Sequence, residues 1–136
     1  MSAFYFISDE TTSEDVVVLA MGGEIDFAAS PQLRDRLFGH IKSGRRRLVL
    51  DLSDATFIDS TAIGVVVGAL TRLREAGGGT LAVVCPDGDE HVAVRYPETN
   101  TVGNRVRQVF VITGLDAGVR LCRSREEALL ECAVAA

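Results

Sequence analysis

The chain has 136 residues, a formal net charge of −5, 47% hydrophobic and 24% charged residues, which suits one globular domain with one core rather than a disordered segment. The acidic balance argues against a nucleic-acid backbone binder, because phosphate neutralisation needs clustered Lys and Arg. No apolar run nears the roughly 20 residues that span a bilayer and Met1-Ser2-Ala3-Phe4 carries no basic leader, so a cytoplasmic protein with no membrane contact is expected.

Phe4-Tyr5-Phe6-Ile7 and Val16-Val17-Val18-Leu19 are β-rich runs separated by polar residues. They predict an N-terminal antiparallel pair, with Gly22-Gly23 breaking the second strand. Ser30-Pro31 reads as a helix start, with Ser30 as N-cap, Pro31 at the first helical position, and Leu33, Leu37 and Ile41 on one face before Gly44 ends the helix. The cluster Arg45-Arg46-Arg47 reads as a solvated loop rather than an anion-binding patch, and Leu48 to Leu52 as a buried strand. From Ser60 to Ala76 the chain predicts a helix with Ala62, Val66, Leu70 and Leu73 along one stripe, closed by Gly77-Gly78-Gly79.

Leu81 to Cys85 is the next strand, ended by Pro86. Residues 86–104 form a long polar insertion, read as a surface loop, with a partner contact as the alternative. Within it, His91 to Tyr96 offers a short additional strand. Val106, Val109 and Phe110 mark another helix, which Gly114 terminates, and Val119-Arg120-Leu121 is a short final strand. Ser124 followed by Glu127 is a capping-box pattern that opens a last helix through Ala128, Leu129 and Leu130. Strands alternating with helices imply parallel crossovers, hence a single α/β domain over 1–136 with a mixed sheet of about five strands and four helices.

Cys85, Cys122 and Cys132 are odd in number and widely spaced, so they read as buried, inert thiols rather than a disulfide framework. His40 and His91 are isolated. No metal site and no cofactor follow from this set.

The most informative stretch is Phe57-Ile58-Asp59-Ser60-Thr61-Ala62-Ile63-Gly64, which reads as strand, tight loop and helix start. Two hydroxyls directly after a carboxylate in the first turn of an apolar helix are poised for helix capping, for a negative ligand or for a covalent phosphate. This segment resembles the signature Asp-Ser-(Ser or Thr)-Gly-(Leu or Ile)-Gly of the STAS-domain anti-sigma factor antagonists. Ala62 stands where that signature has Gly. Gly22-Gly23-Glu24-Ile25-Asp26 is similar to the family's Gly-Glu-(Ile or Leu)-Asp segment, and Gly114-Leu115-Asp116 to its Gly-Leu-Asp run. The order of elements is also similar across nearly the whole chain.

The resemblance implies a STAS-like fold and a protein-binding module that is not an enzyme. The unphosphorylated chain would capture an anti-sigma factor that is also a serine kinase, so that a sigma factor is released. Phosphorylation of Ser60, with Thr61 as the alternative, would abolish that binding, and a serine phosphatase is a candidate to reverse it. Gly23, Glu24, Asp26, Asp59, Ser60, Thr61, Ala62 and Ile63 are the implied partner-binding residues. From the residues alone, a non-switching STAS scaffold or sensing module stays open, as does an enzyme using Ser60 as nucleophile with Asp26 or Asp59. The last lacks a base, since neither histidine lies in a motif that would place it.

Overall fold

In the computed structural model, which describes residues 5–84 and 119–134, the sheet grows outward from two long strands with apolar side chains on both faces. These are β2 (Val17–Ile25) and β3 (Arg47–Ile58). They pair in parallel, from Val17 opposite Leu48 to Ile25 opposite Ile58. Edge strand β1 (Tyr5–Thr11) pairs antiparallel with β2, while β4 (Thr80–Val84) and β5 (Arg120–Cys122) extend the parallel side in the order β1-β2-β3-β4-β5. The expected mixed sheet of five strands is present.

Parallel neighbours need a crossover on a sheet face. Helices α1 (Ser30–Lys42) and α2 (Ser60–Glu75) provide the first two, both on one face, where Leu33, Leu37, Ala62, Val66 and Leu73 pack on Leu19, Leu48, Leu50 and Leu81. The opposite face, with Val16, Val18, Val49, Ala82 and Val84, is covered by Ala128 and Cys132 of the last helix, α3 (Arg125–Val134). The described residues thus hold three helices. The fourth that the sequence predicts, marked by Val106 and Phe110, lies outside them, as do Phe4, Cys85, the 86–104 insertion and Gly114-Leu115-Asp116.

Two local expectations are corrected. Gly22-Gly23 does not break β2: the strand runs on to Ile25, with register shifts between Ala20 and Gly22 and between Gly23 and Glu24. At each shift β3 carries one residue more than β2, while Gly23 takes a φ of +78° and Gly22 leaves room for the ring of Phe6. Ser30 does not cap α1 either. The N-cap position falls on Ala29, and the Ser30 hydroxyl is buried, donating to the Asp26 carbonyl at 2.8 Å. Gly44 does close α1, at φ +106°. At α3 the Ser124 hydroxyl accepts from the Glu127 N–H at 3.1 Å, while the Glu127 carboxylate accepts from Arg123 N–H rather than Ser124 N–H.

An ionic clasp fastens α3 to the sheet. The Asp51 carboxylate, on β3 and almost wholly buried, accepts from Arg125 Nε at 2.9 Å, and Arg125 Nη1 reaches Glu10 of β1 at 2.6 Å. Burial pushes the Asp51 carboxyl up, but the hydroxyl and N–H of Ser53 together with the Arg125 guanidinium outweigh it and leave the group below its ordinary pKa. On the other face, Asp9 of β1 holds Arg36 and His40 of α1, each at 2.8 Å.

Candidate functional site

Ile25 and Ile58 are in register at the carboxyl ends of adjacent parallel strands, so the residues after them, Asp26 and Asp59, open two neighbouring loops. The Asp59 N–H donates to the Ile25 carbonyl at 3.3 Å and ties these loops together. Helices α1 and α2 both start at this edge. It is the edge where open α/β sheets place their sites, because helix N-termini and short loops converge there.

Asp59 is the N-cap of α2. Its backbone is extended, at φ −106° and ψ 178°, and its Oδ1 accepts from the Ala62 N–H at 3.0 Å. The hydroxyls were candidates for this task, and the carboxylate performs it instead. Ser60 and Thr61 therefore occupy the first helical turn with exposed side chains, and no hydrogen bond involves the Ser60 hydroxyl among the described residues. A group added to that oxygen meets solvent and the positive end of a 16-residue helix.

Asp26 spends its side chain locally. Oδ1 accepts from Ala28 N–H at 3.0 Å and from Ala29 N–H at 3.3 Å, while its carbonyl accepts from Ala29 N–H at 3.1 Å and Ser30 N–H at 3.0 Å. This is an Asx turn that carries the chain from β2 into α1. Neither Asp26 nor Asp59 is hydrogen-bonded to Ser60, so neither holds its hydroxyl in a reactive pose.

The other expected contact residues divide by exposure. Glu24 is exposed and Gly23 half-buried on the last turn of β2's path; Ile63 is half-buried, with part of its side chain on the core. Ala62 is 0% exposed and belongs to the core, so its side chain takes no part in a contact surface. Gly64 lies one helical turn beyond Ser60 on the same side of α2, and a Cβ built there would meet nothing within 4 Å.

Sequence reasoning passed over Phe27. It sits in the Asx turn beside Asp26 and is 72% exposed. The available signal was an aromatic in a turn where polar residues and glycine prevail. Phe57, opposite Glu24 on β3, is also exposed.

Known proteins share the fold. The family model for the STAS domain matches residues 9–94. The anti-sigma-B factor antagonist of Staphylococcus aureus is 28% identical over 107 residues, covering 78% of this chain and 83% of that protein. The TM1081 homologue of Thermotoga neapolitana is 30% identical over 119 residues, covering 87% and 90%. Among solved structures, the anti-sigma factor antagonist SpoIIAA in its unphosphorylated form superposes with a TM-score of 0.67 at 20% identity, over 93% of this chain and 96% of that one.

Proposed function

The chain belongs to the STAS domain family, and on that premise we propose that it is an anti-sigma factor antagonist switched by phosphorylation of Ser60. The unmodified protein captures a cytoplasmic anti-sigma factor that is also a serine kinase, freeing a sigma factor; the phosphorylated protein does not. Its work is binding rather than catalysis, consistent with a Ser60 hydroxyl that no base contacts among the described residues. A serine phosphatase resets it.

One observation carries this reading: Asp59 caps α2, which leaves Ser60 exposed and uncommitted at the helix start. Had Ser60 been the cap, modification would have removed a bond worth about 1 kcal/mol and loosened the helix. As it stands, phosphate joins a positive helix end and the domain keeps its shape. The added charge, about −1.5 to −2, instead burdens any contact that must dehydrate this surface, because a buried dianion without a counter-charge costs several kcal/mol. Relatives named anti-sigma factor antagonists support the role, and SpoIIAA has been solved in a phosphorylated form. Glu24, Asp26, Asp59, Thr61 and Ile63 border Ser60 in the proposed contact, with Gly23 shaping the approach. Gly64 costs the free helix about 1 kcal/mol relative to Ala with no crowding among the described residues to require it, which fits a partner backbone passing close by.

The test is an in vitro reaction with the kinase recovered on a Ser60→Ala bait. Intact mass should show one phosphate gained by the wild type and none by Ser60→Ala. In titrations Ser60→Ala binds as tightly as unmodified wild type and Ser60→Asp at least tenfold more weakly. Absence of phosphate transfer, with equal affinities for all three chains, leaves a non-switching scaffold.

A further inference from the structure

We propose that Phe27 is the aromatic anchor of the anti-sigma factor contact, inserting into an apolar pocket of the partner beside the Ser60 switch. The inference rests on the function proposed above and adds the residue that supplies affinity, as distinct from the one that is modified.

Phe27 is the most exposed of the large hydrophobic residues among the described residues, at 72%. Its neighbours are fixed on both sides. Asp26 before it accepts four hydrogen bonds from Ala28, Ala29 and Ser30 backbone N–H groups through its side chain and carbonyl, and Ala29 and Ser30 after it are buried. An aromatic ring held out on a pinned turn has few conformations to lose on binding, which is what makes aromatic residues effective anchors. Among the described residues nothing requires an apolar side chain at that position, since the ring is not part of either core.

Its location joins it to the switch. The Ile25 carbonyl accepts from Asp59 N–H at 3.3 Å, Phe27 is two residues from Ile25, and Ser60 is one from Asp59. Chain geometry then limits the separation of the Phe27 and Ser60 Cα atoms to about 18 Å. An interface of about 800 Å² per partner is roughly 30 Å across, wide enough to take in both residues. The Asx turn does not involve α2, so phosphate on Ser60 leaves the anchor where it is. The two residues act separately, one setting affinity and the other vetoing contact.

The decisive experiment titrates the purified anti-sigma factor kinase with wild type, Phe27→Ala, Phe27→Leu, Ser60→Asp and, on the far face, Leu130→Ala. Phe27→Ala should weaken binding about 30-fold, the scale of a hot-spot aromatic, with Phe27→Leu recovering much of the loss and Leu130→Ala matching wild type. In the phosphorylation assay the KM of Phe27→Ala rises by a similar factor while kcat is unchanged, because Phe27 touches no reacting group. Its melting temperature should match wild type, which separates lost contact from lost folding. If Phe27→Ala binds like wild type while Ser60→Asp does not, the anchor is wrong and the switch stands. If Ser60→Asp also binds like wild type, both readings fall.

Discussion

At the N-terminus of α2, adjacent residues divide two tasks. Asp59 satisfies the helix, and Ser60 is left to the surface. Replacing Asp59 with Ala should therefore cost about 1 kcal/mol in urea denaturation, whereas Ser60→Ala and Ser60→Asp should stay within about 0.5 kcal/mol of wild type, as exposed substitutions do. A Ser60→Ala loss as large as that of Asp59→Ala would mean that the hydroxyl caps the helix after all. Gly64→Ala should stabilise the free protein by about 0.5–1 kcal/mol, since the new methyl group meets open space and alanine favours helix; a lower denaturation midpoint would contradict this. The segment was legible as strand, loop and helix, but the identity of the cap was not. Asp and Ser are nearly equal N-cap formers, and a shift of one residue exchanges their roles. Phe27 was illegible for another reason: exposure of a single aromatic depends on where the turn points it, which periodicity does not encode.

At the scale of elements, the Asp51–Arg125–Glu10 clasp fixes how α3 lies on the sheet. Arg125→Ala removes the counter-charge of a buried carboxylate. Because Arg125 is itself 39% exposed, the full penalty for breaking a buried pair is screened, leaving about 2 kcal/mol, to be read from chemical denaturation; a change below 0.5 kcal/mol would relegate the clasp to a surface contact. The Asp51 pKa lies below its ordinary value of 3.8 in the folded state. Its stabilisation is therefore complete above that value and disappears as pH falls through the lower, folded value. Wild type should lose stability steeply below about pH 4, and Asp51→Asn should flatten that slope. Helix and strand positions were largely readable from apolar spacing, and all four stripe residues of α2 are buried. Gly22-Gly23 misled because a glycine pair serves equally as a strand end and as a register shift inside one. Deciding between them takes the neighbouring strands, since β3 continues alongside to Ile58.

Across the whole molecule, the proposed switch and the core are separate. Phosphate at Ser60 meets an exposed helix start while the cores on both sheet faces stay as they are, so the phosphorylated protein should melt within about 5 °C of the unmodified one. A transition that broadens or vanishes on phosphorylation would show that modification acts by unfolding. The fold class followed from the order of strands and helices, which topology rules constrain tightly. That the Asp26 and Asp59 loops meet at the sheet's carboxyl edge followed only from the family resemblance, because apolar spacing does not encode the strand register that aligns Ile25 with Ile58.

The outermost strand carries one more consequence. Asp9 and Glu10 are consecutive on β1, point to opposite sides of the sheet, and grip α1 and α3 respectively. The hydrogen bond from His40, partly opposed by burial and aided by Arg36, keeps the Asp9 carboxyl below its usual value, so that grip too loosens as pH falls through the lowered value. Acidification should then unzip the molecule like a ribbon from its rim: amide protons of Tyr5–Thr11 exchanging with deuterium first, those of β3 last, and the bared flank of β2 becoming the seam along which acid-treated molecules aggregate.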